Sequence, residues 1–408
     1  MKRKQKIPGN ESNKMTTPVY LDHHATTPVD PRVLDAMLPY FSEVFGNPSS
    51  RNHRYGWNAD DGVQQAREQV ASLLGAKASE IVFTSGATEA DNLAVLGGAR
   101  AHKDRGQHIV TTQIEHKAVL DACGVLEGEG FEVSYVAPSS DGRVHTEQIR
   151  AALRNDTVLV SCMWINNEVG SVQPIAEIGA LCRERNILFH VDAVQGLSVL
   201  PFDVESMNVD LVSITAHKMY GPKGVGALYV KRRPPVRLAP LSVGGGQERG
   251  MRAGTLNVPG IVGLGAASQI AQAHQQEEGE RLSALRDFFW HGLQHRVGEV
   301  QLHGALSPRH PGNLSVAFGH CDAESIMLAT HDLMAVSAGS ACSSSNSAPS
   351  HVLRALRISN DVARSTIRFG LGRSTTQEEL ERVLDRLEVV IREQREASPV
   401  YLAAKATP

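Results

Sequence analysis

Lys218 is the residue whose type and place most invite chemistry. It stands in SITAHKMYGPKGVGALYV (213–230), after a strand-like apolar run and before a glycine-punctuated turn. Desolvating an ammonium costs several kcal/mol unless it is paired or neutralised, so a lysine there has two readings. Either it snorkels to solvent from a strand end, or its lowered basicity provides a free amine for a Schiff base. Asp192 in VDAVQG (191–196) ends another strand-like run. A carboxylate there can cap the next helix or pair with the protonated nitrogen of a pyridine ring, and Gln195 can donate to a ring oxygen. SGATEADN (85–92) reads as a strand, a glycine turn and a helix start, where backbone N–H groups and the Thr88 hydroxyl would meet an anion such as phosphate.

His116 follows a strand in IEHKAV (114–119); it is either structural or a ring that stacks on a planar cofactor and relays protons. The amides of Asn166 and Asn167 are either turn chemistry or groups that orient a substrate. GGGQERGMRAGT (244–255) offers Arg249, Arg252 and Thr255 to a phosphate or across a subunit interface. Of five cysteines, Cys123, Cys162 and Cys182 read as small buried hydrophobes and Cys321 stays undecided. Cys342 differs. Its surroundings, AGSACSSSNSAPS (338–350), contain no apolar anchor, which predicts a mobile loop carrying an accessible thiol, the setting of a nucleophile that reaches into a site.

The elements that must position these residues follow from hydrophobic periodicity. IVFTSG (81–86), HIVTT (108–112), FEVSYVA (131–137), TVLVSCMWI (157–165), ILFHVDA (187–193), LVSIT (211–215) and GVGALYV (224–230) are strand candidates, most with helical stretches between them. Near-continuous apolar runs predict strands buried on both faces, hence an α/β fold with a mostly parallel seven-stranded sheet. Asp30-Pro31 opens a helix with Val33, Leu34, Met37, Leu38 and Phe41 on one face; a second helix, carrying Val63, Val70, Leu73 and Leu74, stops at Gly75. Beyond residue 260, long helices alternate with short strands (313–318, 334–339, 365–372), predicting a smaller α+β domain. Its last helix starts with the capping box Thr376–Glu379. The expected division is a disordered tail over 1–17, a large domain over 27–265, and a small domain built from 18–26 and 266–408.

Composition narrows the function. The chain has 408 residues, with 41 Lys+Arg against 44 Asp+Glu and a net charge of −3, so no basic tract points to nucleic acid. No run of about 18 apolar residues suits a membrane span. Scattered cysteines of odd number predict a reducing compartment, and the polar N-terminus lacks the apolar core of a secretory signal; the expected location is the cytoplasm.

Read together, LDHHATTPVDP (21–31), FGNPSS (45–50), FTSGATEADN (83–92), EHKAVL (115–120), NNEVG (166–170), HVDAVQ (190–195), AHKMYGPKGVGALYV (216–230), RGMRAGT (249–255), SAGSACSS (337–344) and STIRFGLGR (365–373) resemble the cysteine desulfurases, fold-type-I pyridoxal phosphate enzymes. The match runs in the family's order from about residue 19 to 390, and GSAC in its short loop resembles the subgroup serving iron–sulfur cluster assembly and tRNA thiolation. The resemblance implies that Lys218 carries pyridoxal 5'-phosphate and moves the Cα proton, that Asp192 pairs with the ring nitrogen, and that Gln195 bonds the phenolic oxygen. It implies that His116 stacks on the ring as acid and base, and that Ala87, Thr88, Thr215 and His217 hold the phosphate with Thr255 of a second subunit of a homodimer. Asn167 and Arg368 would hold L-cysteine, and Cys342 would take its sulfur as a persulfide destined for an acceptor, such as an iron–sulfur scaffold or a tRNA-thiolation carrier. No metal is implied. A class-V aminotransferase or selenocysteine lyase on the same scaffold, or a catalytically silent binding platform, are the other readings.

Overall fold

The computed structural model describes residues 17–338, 350–398 and 401–402. The expected tail, Thr17 excepted, and the segment with Cys342 therefore lie outside the described residues.

All seven predicted strands form one sheet: β1 (Ile81–Thr84), β2 (His108–Thr112), β3 (Glu132–Val136), β4 (Thr157–Ser161), β5 (Leu188–Asp192), β6 (Leu211–Thr215) and β7 (Gly226–Val230). Their order across the sheet is β1-β7-β6-β5-β4-β2-β3. Only β7 runs against its neighbours, β1 and β6. Every strand except the edge strand β3 is buried along its whole length, which is why the apolar runs are continuous rather than alternating. The carboxyl ends of β1, β2, β4, β5 and β6 consequently share one rim, where open α/β sheets bind their ligands. At that rim β7 must pass close to the turn after β1: a Cβ on Gly226 would lie 2.8 Å from the backbone of Gly86 and 2.5 Å from the Ile214 carbonyl oxygen.

Helices pack on this sheet, and two long ones contribute to its core. Helix α1 (Arg54–Leu74) buries Val63, Val70, Leu73 and Leu74 and ends, as expected, at Gly75 with φ +66°. Helix α2 (Val258–Gly292) contributes Val258, Ile261, Leu264 and Ala271 to the large core, then Leu282 and Phe289 to a second one. The expected division near residue 265 therefore falls inside one continuous helix shared by both parts.

The second core underlies a four-stranded antiparallel sheet of β8 (Val300–Leu302), β9 (Asn313–Phe318), β10 (Ser337–Ala338) and β11 (Thr366–Gly370), in the order β10-β11-β9-β8. Helix α3 (Gln377–Ala397) covers it with Leu380, Val383, Leu384, Leu387, Val390 and Ile391 and carries the expected capping box.

Two details correct the sequence reading. The helix opened by Asp30 ends at Met37, and a separate short helix begins at Pro39, which cannot donate the hydrogen bond that would continue the first. Val33 and Met37 are buried, but Leu34, Leu38 and Phe41 are exposed. The run 334–339 is not one strand: Met334–Ala335 pairs in parallel with Val19–Tyr20, and β10 pairs with β11. That first pairing, a separate two-stranded sheet, makes residues 19–27 a strap that runs from it to the turn bearing Lys218.

Candidate active site

Ala87, Thr88, His116, Asn167, Asp192, Gln195, Thr215, His217, Lys218 and Arg368 all line one cavity of about 590 Å³ at the carboxyl rim of the sheet. Five strand ends and β11 supply these side chains, so the sheet brings together residues up to 281 positions apart (368 − 87 = 281).

Lys218 sits on a single 3₁₀ turn, Ala216–Lys218, directly after β6. Burial and the nearby Arg368 cation lower its amine to about 8, against the opposing pull of Asp22 and Asp192. Its Nζ donates to the backbone carbonyl of His24 in the strap. The strap also fixes the turn's backbone: Thr27 N donates to the His217 carbonyl at 2.9 Å, and Tyr220 N donates to the Thr27 hydroxyl at 2.9 Å.

The cavity has an acidic floor. Asp192 accepts from the Val194 N–H at 3.0 Å in a turn; residues 193–210 hold no helix for it to cap, against the helix-cap reading, and its side chain lines the cavity. Burial pushes its carboxyl up. Behind it, Asp91 is 1% exposed, neither of its oxygens meets a donor among the described residues, and burial together with Asp192 holds it well above the usual carboxylate range. Glu115, fully buried, is pushed up to about 8. His190 lies 3.6 Å from Asp91, is held neutral by burial at about 3, and hydrogen-bonds with Ser161 and Ser213 at 2.8 and 3.0 Å. This floor has more carboxyl groups than it can ionise without a cation to pair them.

The opposite end favours an anion. The chain is helical from Ala87 through a π-turn at Leu93–Gly97 to Ala101, and its N-terminal residues Ala87 and Thr88 line the cavity with Thr215, His217 and Lys223. His217 is lowered to about 4 by burial and then by Lys218 and Lys223. His116 caps the helix Lys117–Gly128, its Nδ1 accepting from the Ala118 N–H at 3.1 Å, so the neutral ring carries its proton on Nε2.

Other candidates turn out to be placed differently. Asn166 is turn chemistry: its Oδ1 accepts from Glu168 N and Val169 N, both at 2.9 Å, while Asn167 faces the cavity. Gln195 lines the cavity and also meets the strap, one Nε2 hydrogen going to the His24 carbonyl at 3.1 Å and Oε1 meeting His24 Nδ1 at 3.2 Å, which leaves the second Nε2 hydrogen unspent. Arg252 pairs with Glu89 at 2.8 Å and Arg249 donates to the Ile81 carbonyl; neither lines this cavity, and the reading that they meet a phosphate or act across a subunit interface is not decided by it. Thr255 is exposed outside it. Cys123, Cys162 and Cys182 are buried as expected; their thiols are all pushed up by burial, Cys123 to about 12. Cys321 is half-buried and also raised. No cysteine among the described residues lines the cavity. Cys342 lies outside them, but its described flanks adjoin the site: β10 pairs with Arg368 and Ile367, and the Ser350 hydroxyl donates to Glu168.

Asp91, His24, Asp22 and Glu115 escaped the sequence reading. The His-His pair and the buried acid inside the helix after β1 were the available signals, and neither has a periodicity that marks it.

A model of the aminotransferase class-V family matches residues 19–383. Over 391 residues the chain is 54% identical to cysteine desulfurase IscS of Anaeromyxobacter dehalogenans (strain 2CP-C), covering 96% of each chain. It is 51% identical to cysteine desulfurase IscS of Shewanella sp. (strain W3-18-1), covering 95% of this chain and 96% of that one. The chain belongs to the class-V aminotransferase family, among its cysteine desulfurases. Solved structures agree with this membership: a NifS-like protein superimposes with a TM-score of 0.85 at 38% identity over 92% of this chain and all of that one, and "SspA in complex with cysteine" with 0.76 at 39% over 86% and 98%.

The desulfurases are pyridoxal phosphate enzymes, and this cavity fits that cofactor. A protonated ring nitrogen is the cation the acidic floor needs, a phosphate suits the end with Thr88 and His217, and Lys218 provides an amine whose basicity is lowered enough to leave part of it neutral and reactive near neutral pH. No helix among the described residues is long and apolar enough to cross a membrane.

Proposed function

We propose that this desulfurase converts L-cysteine to L-alanine and passes the sulfur to Cys342. The convergence of Lys218, Asp192, His116, Thr88 and Arg368 on one cavity is the observation that carries the reading. Lys218 would hold pyridoxal 5'-phosphate covalently, Asp192 its ring nitrogen, Gln195 its phenolic oxygen, and Ala87, Thr88, Thr215 and His217 its phosphate, with His116 against the ring. When bound, the cofactor supplies an electron sink for charge developed at the substrate Cα.

The chain's own groups do the rest. Arg368 and Asn167 orient the α-carboxylate; Lys218, in its neutral form, takes the Cα proton; His116 Nε2 exchanges protons at the rim of the ring. The Cys342 thiolate attacks the substrate sulfur, the Cβ–S bond breaks as the S–S bond forms, and the electron pair left on Cβ takes up a proton to give alanine. The enzyme thiol thus becomes a persulfide, and a thiol of the acceptor protein regenerates it. Product analysis tests this: one alanine and one transferable sulfur per cysteine are expected, whereas a keto acid would favour the aminotransferase reading.

The acceptors we propose are an iron–sulfur scaffold or a tRNA-thiolation carrier in the cytoplasm, and the working unit a homodimer. Thr255 lies outside its own cavity, while Trp57 and Leu256 line a surface groove of about 920 Å³ with Arg51 and Gly246, a face suited to a second copy. Thr255→Ala should loosen cofactor binding in a dimer; a sedimenting monomer that keeps its cofactor would contradict the arrangement.

A further inference from the structure

Arg368 meets the cavity with its guanidinium already held on two sides. Nη2 donates to Oδ1 of Asp22 at 2.8 Å, and Nη1 donates to the backbone carbonyl of Asn167 at 3.1 Å. Nε is buried without an acceptor among the described residues. The Nε edge of the fork is therefore closed to solvent, and each terminal nitrogen keeps one hydrogen.

Asp22 is itself fixed by main chain. It bridges Gly370 in parallel, two residues from Arg368 on β11; the Leu21 carbonyl accepts from Gly370 N at 2.6 Å, and His23 N donates to the Gly370 carbonyl at 3.1 Å. The Tyr20 hydroxyl lies within 3.2 Å of the Asp22 carbonyl and 3.0 Å of the Thr26 carbonyl, closing the strap on itself. Both side chains are mostly buried, Arg368 12% and Asp22 18% exposed. Two residues further along the strap, the His24 carbonyl takes the Lys218 amine.

We propose that Asp22 is the positioning residue for the carboxylate seat: it locks the Arg368 fork so that its two remaining hydrogens present a preformed bidentate site for the α-carboxylate of an amino acid. The proposal rests on the reading of Arg368 as that seat. Its physical content is preorganisation. A free arginine fork must lose its rotamer freedom when a carboxylate arrives, whereas this one is ordered beforehand by a carboxylate whose own main chain is pinned to β11. Asp22 also offsets the Arg368 charge beside Lys218, so the two cations tolerate one cavity before substrate enters.

The test compares holoenzymes carrying Asp22→Ala, Asp22→Asn, Arg368→Ala and the Asp22→Ala/Arg368→Ala pair. Asp22→Ala should raise KM for L-cysteine roughly tenfold with kcat within about twofold, and Asp22→Asn, which keeps an acceptor oxygen, should recover part of that loss. Competitive inhibition by L-alanine should weaken by the same factor, while inhibition by cysteamine, which has no carboxylate, should not change. On the Arg368→Ala background, removing Asp22 should add nothing. An unchanged or lower KM in Asp22→Ala, while Arg368→Ala raises it, overturns the proposal alone, as does an equal loss for cysteamine. An unchanged KM in Arg368→Ala overturns the seat and the role of Asp22 together. Should Asp22→Ala fold poorly, the near-isosteric Asp22→Asn decides by the same L-alanine to cysteamine comparison.

Discussion

The Lys218 amine donates to the backbone carbonyl of His24, so the candidate Schiff-base side chain is aimed by a strap that begins in a separate two-stranded sheet. A backbone carbonyl accepts from the amine without supplying a full counter-charge. Burial therefore prevails, and the amine falls from 10.5 to about 8.

A pH dependence follows with a definite sign. Only the neutral amine is nucleophilic, so the rate at which cofactor-stripped protein takes up pyridoxal 5'-phosphate should climb with pH and level off above about 8. Stopped-flow absorbance checks this; a rate still rising tenfold per pH unit toward 10.5 would mean an ordinary lysine. In linkage terms, between about 8 and 10.5 the unfolded chain holds a proton that the folded stripped protein does not. This group therefore adds stability as pH rises through that window, and the increment should be absent from Lys218→Met.

Asp192→Ala should lower kcat by about 10²–10³-fold, the usual cost of removing one preorganised electrostatic partner, while the cofactor stays attached through Lys218. Steady-state kinetics together with the visible spectrum separate the two effects. Undiminished turnover would show that Asp91, next in the acidic floor, serves the ring instead.

Stability near the phosphate end depends on a buried ion pair. Glu248 receives both terminal nitrogens of Arg67 at 2.8 Å and the Phe83 N–H at 2.9 Å, and Arg67 lies 4.6 Å over the Phe83 ring. Glu248→Ala leaves Arg67 buried without its charge partner and should cost about 3–5 kcal/mol by denaturant melts. Arg67→Met/Glu248→Leu, which removes both charges, should cost less than either single change.

Much of the large domain could be read before the structure was seen, because strands buried on both faces leave continuous apolar runs and the chemistry sits where those runs stop. Thr88, His116, Asn167, Asp192 and Lys218 were legible for that reason. The direction of β7 was not, since an apolar run has no polarity. Nor was the strap: Val19–Tyr20 and Met334–Ala335 are two-residue strands, too short for alternation to register, and the work of His24 is done by its backbone carbonyl, which any residue type possesses. Asp91 is hidden inside a helix, where one acid among ordinary helix formers is unremarkable until its oxygens prove to lack a hydrogen-bond donor among the described residues. Leu34, Leu38 and Phe41 misled because their spacing is helical while Pro39 divides the helix.

We propose that sulfur leaves cysteine by attack of the Cys342 thiolate. Among the described residues no cysteine lines the cavity, and Cys123, Cys162, Cys182 and Cys321 all have thiols raised by burial. The most direct measurement is alanine formation from L-cysteine by holoenzyme carrying Cys342→Ala. Alanine production should fall to background while the cofactor spectrum and its response to added cysteine persist; alanine production at the unmodified enzyme's rate would rule out attack by Cys342.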